Sequence, residues 1–593
     1  MTVPYNFHFI VAIFLLLLVM VICCKSKWKR LTAMVLAPSL FYCFFYDFNV
    51  GALGGVWPIL RSYVAVPLFG MLYLFFASIT QVDKDDKYSG VAYKRHAVIF
   101  VGVLQYILVL VICSISWSLN TFPFTNADAV LFTLFVGVNS GAEGFVLDSF
   151  VRDAIFPSIY IFVGIIAVQV LFSGILKKRK ICLKANIKRF YLIWNGRSLM
   201  GSLYNAQKIT SIILLFYGVL QAFAIPGIAL SIPFRAFFQK PVDSELFRDN
   251  YVFPDSIQIT AEGEPRNLIV IFMESMETNF APYTPEINEL ASSSIDFAPG
   301  GESLFGTGWT IAAITGKLCG LPLSIPLSDN EYQGSLPTYL PKAKCLMDVL
   351  FEKGYAQTFI QGSSGDFTQK RKFWNVHGNV AVHDIEFYRE QNWISQDYEV
   401  FWGFEDRKLY DFAKIEIDSL VKKETPFGLY MLTVDTHQPE GYVDDSCKTL
   451  FKDVEGAFPK ALRCASYQLK NFIVWAKKQS WYDKTVIAVM GDHDMPMLSI
   501  KVGVSANDSL KWKNFVINSS KKDYNKKNYS SFDIFPTLLE SMGFEVEGRA
   551  VGLGVSLFSD KKNLVEKYNG KTLDSLLRLR SFQYDYFLMG RDY

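Results

Sequence analysis

The chain has 593 residues, of which 51% are hydrophobic, 16% aromatic and only 19% charged. That apolar content with a net charge of +3 excludes a disordered chain, and 39 Gly and 23 Pro without a strict period exclude a collagen-like one. The near-neutral balance gives no electrostatic case for nucleic acid as a partner. The average conceals a split: nearly all long apolar runs precede about residue 232, and charged, Asn- and Asp-rich text follows. Length and split together suggest a membrane half and a half that faces water.

Six segments, at about 8–24, 31–46, 60–80, 97–118, 154–175 and 208–231, are long and apolar enough to be predicted as spans. The first is read as a retained span and not a signal peptide, since no Lys or Arg lies before residue 25 and the charges follow the apolar run. Basic residues concentrate in alternate loops. These are KSKWKR at 25–30, then Lys84, Lys87, Lys94 and Arg95, then Lys177, Lys178, Arg179, Lys180, Lys184, Lys188, Arg189 and Arg197. The positive-inside rule makes that side cytoplasmic and turns everything after residue 232 outward. The stretch 127–147, with its Asn, Gly and flanking acids, is expected to be an amphipathic or re-entrant element. The expected organisation is a polytopic membrane domain over 1–232, a linker at 233–254, an outward domain over 255–560 and a C-terminal extension over 561–593.

Of nine cysteines, Cys319, Cys345, Cys447 and Cys464 fall in the outward part, an oxidising compartment under this orientation. Pairing neighbours, Cys319 with Cys345 and Cys447 with Cys464, is the simplest of three connectivities, with buried free thiols as the alternative.

From about residue 255 short apolar β-rich runs alternate with helical text. NLIVIFM (267–273), AQTFIQG (356–362), FGLYMLTV (427–434) and TVIAVM (485–490) read as buried strands. KCLMDVLFEKGY (344–355), ASYQLKNFIVWAKKQS (465–480) and SFDIFPTLLESMG (531–543) read as helices. The fold class expected is an N-terminal α-helical transmembrane bundle followed by an α/β domain whose parallel-rich sheet is flanked by helices. In such a sheet chemistry collects beyond the carboxyl ends of the strands. Glu274 follows the first strand, Asp435 and His437 the third, and Asp492, His493 and Asp494 the fourth.

Glu274, Asp492 and His493 offer two carboxylates and an imidazole, a donor set suited to Zn²⁺, Mn²⁺ or Mg²⁺. Either carboxylate alone could equally cap a following helix. The segment GESLFGTGWTIAAITGKLCG (301–320) runs from a Gly-rich loop into a helix-like stretch with Thr310 near its start. There the helix dipole and a nearby cation would lower the hydroxyl pKa and receive a phosphate. A Thr at a helix start is more often only an N-cap, and Thr307 competes on spacing.

The strings NLIVIFMES (267–275), GTGWTIAAI with CGLPL (306–323), LTVDTHQPEGY (432–442) and GDHD (491–494) resemble the membrane-anchored phosphoglycerol transferases. More widely they resemble lipoteichoic acid synthases and lipid A phosphoethanolamine transferases, all of the alkaline phosphatase and sulfatase superfamily. The resemblance covers roughly 255–545 in order. It implies a divalent metal (Mn, Mg or Zn) on Glu274, Thr310, Asp492 and His493, Thr310 as nucleophile, and His437 as the substrate-side histidine. It also implies transfer of phosphoglycerol from phosphatidylglycerol to an envelope glycan at a bacterial inner membrane, through a phospho-threonine. Phosphoethanolamine transfer is the alternative. In GSSGDFTQKRKFWNVHG (362–378), where lipoteichoic acid synthases grip the donor with a Trp and an Arg, the match is ambiguous. Lys370, Arg371, Trp374 and His377 are the substrate-binding candidates there. A solvated basic face is the competing reading.

Overall fold

The computed structural model describes residues 80–82, 95–121, 150–179, 182–187, 190–195, 199–223, 244–323, 339–495 and 510–584, apart from isolated positions. The expected elements at 8–24, 31–46, 60–79 and 127–147, and most of the expected linker, lie outside the described residues. The chain divides into two compact units.

The first unit contains helices Arg95–Thr121, Phe156–Arg179 and Leu199–Phe223, the second preceded by a π-helical turn over Val151–Ile155. Among the described residues two helices are long and apolar enough to cross a membrane, over Val98–Trp117 and Val151–Leu171. The helix expected over 208–231 instead runs Leu199–Phe223: its first three turns carry Ser202, Asn205, Gln207 and Lys208, which an apolar window misses, and Pro226 follows its end. Strand Thr80–Val82 pairs antiparallel with Cys182–Ile187, which pairs with Phe190–Asn195.

The second unit is built on a seven-stranded sheet. Its strands are β1 (Asn267–Met273), β2 (Ile295–Asp296), β3 (Ala356–Gln361), β4 (Ala381–His383), β5 (Phe427–Leu432), β6 (Thr485–Gly491) and β7 (Asn514–Ile517). Their spatial order is β2-β7-β6-β1-β5-β3-β4. The five strands from β6 to β4 are parallel, and β7 runs antiparallel between β6 and β2.

Period-two alternation divides the core. Leu268, Val270 and Phe272 of β1, with Val486, Ala488 and Met490 of β6, enter the core on one face. Ile269, Ile271 and Met273, with Ile487 and Val489, enter the core on the other. Both faces are covered, so the strands are apolar throughout. The first face is covered by α1 (Thr310–Cys319) and by Ile534–Ser541, the second by Asp406–Val421 and Ala457–Ala476. The helix expected over 465–480 begins eight residues earlier. Pro459 reads as a breaker in sequence, yet it sits in the first turn, where its missing N–H costs nothing. Disulfides join Cys319 to Cys345 and Cys447 to Cys464. Leu564, Val565, Leu573, Leu577 and Tyr584, from the C-terminal segment, are buried in the first core with the strands.

Candidate active site at the sheet rim

Two neighbouring strand ends bring the acidic residues together. β1 and β6 are paired in parallel from Asn267 opposite Thr485 to Met273 opposite Gly491, so Glu274 and Asp492 leave the sheet side by side. The turns that follow close on each other at Gly491, where a Cβ would stand 2.2 Å from the Met276 carbonyl oxygen, an approach only glycine permits.

Short hydrogen bonds then aim the donors. Asp492 Oδ1 accepts from the Ser275 amide at 2.7 Å and the His493 amide at 2.8 Å. Glu274 Oε1 accepts from the Ser275 hydroxyl at 2.7 Å. His493 Nδ1 lies 2.9 Å from the Asp494 carbonyl. A carbonyl only accepts, so Nδ1 carries the hydrogen, and in the neutral form of the ring Nε2 presents its lone pair inward. That Nε2 is 3.4 Å from Asp492 Oδ2, 3.8 Å from Glu274 Oε1 and 3.5 Å from Thr310 Oγ1.

The donor atoms of Glu274, Asp492 and His493 all lie within 4.8 Å of one another, and all three residues are buried. Two buried carboxylates this close cannot both ionise without compensation. Burial first, and Asp492 next, push the Glu274 carboxyl up to about 8. Burial disfavours charge on His493, but Asp492 and Glu274 outweigh it and raise its pKa. Asp492 Oδ2 is buried without a hydrogen-bond partner. An orphaned carboxylate oxygen, a second carboxylate and an inward imidazole lone pair fit a divalent cation.

Thr310 is the first residue of α1, half-buried, with its hydroxyl toward this cluster. Thr307 is fully buried and its hydroxyl is spent on Leu304, accepting from the amide at 2.8 Å and donating to the carbonyl at 2.9 Å. Of the two threonines, Thr310 turns its hydroxyl to the cluster and Thr307 does not. His437 follows β5 and its Nδ1 donates to the Gln438 carbonyl at 2.9 Å. Burial pushes its pKa down to about 4, so the ring is neutral near pH 7 and its Nε2 is an acceptor.

The segment 362–378 disperses. Lys370 is buried and near the cluster: burial lowers its pKa to about 8 against the pull of Glu274, Asp384 and Asp492. Its Nζ donates to the Phe367 carbonyl at 3.0 Å. Arg371 pairs with Asp366 at 3.0 Å and with buried Asp384, which also accepts from the Gly365 amide, so it braces the loop. Trp374 and His377 are corrections to the sequence expectation. Trp374 is 0% exposed and stacks on Phe359 at 4.4 Å with Tyr430 at 4.9 Å, leaving no face for a substrate. His377 is buried between Asp348, 2.9 Å from Nδ1, and the Tyr339 carbonyl, 3.0 Å from Nε2. Both lie on the apolar underside of a short helix over Lys370–Val376 or at its end, which a cluster of charges in the sequence does not reveal.

Two residues near the site went unnoticed in the sequence. Lys317, fully buried, donates to the Asp492 carbonyl at 2.5 Å and lies 3.9 Å over the Trp512 ring. Its signal was its spacing, seven residues after Thr310 on the same helix face. Trp402, half-buried, packs its ring 4.4 Å from that of His437. It comes from a loop with no local signature.

Residues 266–544 match the Sulfatase family model. Curated relatives of this domain include phosphoglycerol transferase I of Xanthomonas campestris pv. campestris, 28% identical over 269 residues, or 44% of this chain and 38% of that protein. Phosphoglycerol transferase I of Escherichia fergusonii is 32% identical over 238 residues, or 38% of this chain and 30% of that protein. The chain thus spans well under half the length of these relatives. Among solved structures, the lipoteichoic acid synthase LtaP from Listeria monocytogenes aligns with TM-score 0.41 and 17% identity over 51% of this chain and 79% of that one. The lipooligosaccharide phosphoethanolamine transferase EptA from Neisseria meningitidis aligns with TM-score 0.43 and 13% identity over 86% of this chain and 93% of that one.

Proposed function

We propose that this chain is a metal-dependent phosphotransferase of a bacterial inner membrane. In this reading it moves phosphoglycerol from phosphatidylglycerol to a hydroxyl of an envelope glycan and releases diacylglycerol. The six predicted spans would hold the site near the lipid head groups, with the catalytic domain on the outer side. The observation that carries the reading is the Thr310 hydroxyl 3.5 Å from His493 Nε2, beside two buried carboxylates whose donor atoms lie within 4.8 Å of each other and of the imidazole.

Glu274, Thr310, Asp492 and His493 would hold the cation, which supplies charge neutralisation for a phosphoryl group and lowers the threonine hydroxyl pKa. The chain's own residues do the rest. Thr310 Oγ1 attacks phosphorus, a Thr–O–P bond forms, and the P–O bond to diacylglycerol breaks, its oxygen taking the proton that threonine lost. The acceptor hydroxyl then attacks the same phosphorus and Thr310 leaves, regaining a proton. His437, neutral and with Nε2 open as an acceptor, takes the acceptor's proton in that second step. Lys370 supplies a positive charge beside the donor phosphate.

The full-length protein, incubated with vesicles of phosphatidylglycerol or of phosphatidylethanolamine labelled in the head group, tests this. Wild type is expected to yield labelled protein and diacylglycerol from the first lipid, and Thr310→Ala to yield neither. Labelling from phosphatidylethanolamine alone would replace the donor. Label on Thr310→Ala would overturn the mechanism.

A further inference from the structure

The segment after residue 560 contains a feature that the site chemistry above does not use. The short helix Gly570–Leu577 and the turn after it lie against the loop that leads to Thr310. Asp574 Oδ1 accepts from the Phe305 amide at 2.6 Å, and its Oδ2 accepts from Arg578 Nε at 3.0 Å. Arg578 in turn lies 4.6 Å over the Phe305 ring. One residue of the loop is therefore held at its backbone by a carboxylate and at its side chain by a guanidinium that the same carboxylate orients.

A second anchor acts one residue further on. Tyr584, buried, donates to the Pro322 carbonyl at 2.8 Å. Pro322 abuts Gly306: a Cβ there would stand 2.6 Å from Pro322 Cβ, and the backbone is already left-handed at φ +72°. The Leu323 amide donates to the Gly306 carbonyl at 2.9 Å. At its other end the loop is fastened to the rim, where the Ser303 hydroxyl donates to Asp494. The loop 302–309 belongs to no helix or strand, and its one internal brace is the turn that Thr307 closes on Leu304. Asp574, Arg578 and Tyr584 fasten that turn from outside.

We propose that Asp574 and Tyr584 are positioning residues that clamp the loop 302–309 and thereby set where the Thr310 hydroxyl stands relative to His493 and Asp492. The proposal rests on the reading of Thr310 as the nucleophile. Neither residue touches the reacting atoms; each acts through the backbone of Phe305, Gly306 and Pro322. An in-line attack is sensitive to displacements of about 1 Å, which cost on the order of a hundredfold in rate. Loosening the clamp should therefore slow the chemistry while leaving donor binding alone.

The test is single-turnover labelling of the full-length protein in phosphatidylglycerol vesicles without acceptor, following both the rate constant and the amplitude of the protein adduct. Asp574→Ala is expected to lower the rate constant at least tenfold, with the amplitude and the donor concentration for half-maximal rate within twofold of wild type. Asp574→Asn, which keeps a carbonyl oxygen for the Phe305 amide, should recover most of the rate. Tyr584→Phe removes one hydroxyl and is expected to slow labelling about threefold, which keeps the proposal testable if Asp574→Ala fails to fold. A wild-type rate constant in Tyr584→Phe and Asp574→Ala, or a loss confined to amplitude, overturns the clamp and leaves the transfer reading standing. No adduct in wild type, or adduct in Thr310→Ala, overturns both.

Discussion

The rim between β1 and β6 and the slab beneath residues 370–378 lie in the same domain and differ in one respect, the pairing of their ionisable groups. At the rim, Asp492 Oδ2 is buried with no hydrogen-bond partner and Glu274 is held near a like charge. Under the slab, His377 is bonded at both ring nitrogens, Arg371 is paired with carboxylates, and Trp374 is packed between two rings. Buried polar groups are ordinarily satisfied, so a cluster left short of partners is a place the fold keeps for something it binds. The density of charged residues in the sequence carries no such information.

The largest expected effect comes from removing the excess charge at the rim. Asp492→Asn should lower transfer at least about 10³-fold while raising Tm in chelator, because the repulsion between two buried carboxylates is relieved. A fall in the chelated Tm would mean that the rim is a structural network and not a binding site.

The opposite pattern is expected under the slab. Trp374→Ala should destabilise the protein by about 3–5 kcal/mol through the cavity it leaves, with the donor KM of the folded fraction unchanged. Lys370→Ala should reverse this, lowering donor kcat/KM about tenfold to a hundredfold with little change in denaturation midpoint. A raised donor KM in Trp374→Ala would restore that residue to the donor site.

The smallest effect sharpens the rim itself. A cation must displace the proton from Glu274, whose carboxyl is pushed up to about 8. Below that pH binding releases a proton, so Mn²⁺ affinity measured by calorimetry should rise with pH between 6 and 8 and flatten above. Affinity that is flat or falls over this window would remove Glu274 from the ligand set.

Much of this was legible in the sequence where the determinants are local. The four β-rich runs are strands because their alternate residues supply two cores, and strand ends in a parallel sheet are where Glu274, Asp492 and His493 must emerge. The Gly-rich text running into a helix-like stretch placed Thr310 near a helix start, and it is the first residue of α1. Strands β2, β4 and β7 were not legible, being two to four residues long and defined by the neighbour they pair with.

What the sequence by itself determined, then, was the apolar division of the chain, the helix-and-strand alternation and the acidic residues at the strand ends, all set by short-range periodicity. Only the tertiary structure decided which threonine turns its hydroxyl to the cluster and which of Lys370, Arg371, Trp374 and His377 stands near it. It also decided that Asp574, 264 positions from Thr310 in the chain, holds the loop before it. The physical reason is that satisfaction of a polar group depends on partners brought from far along the chain, and no local pattern records them.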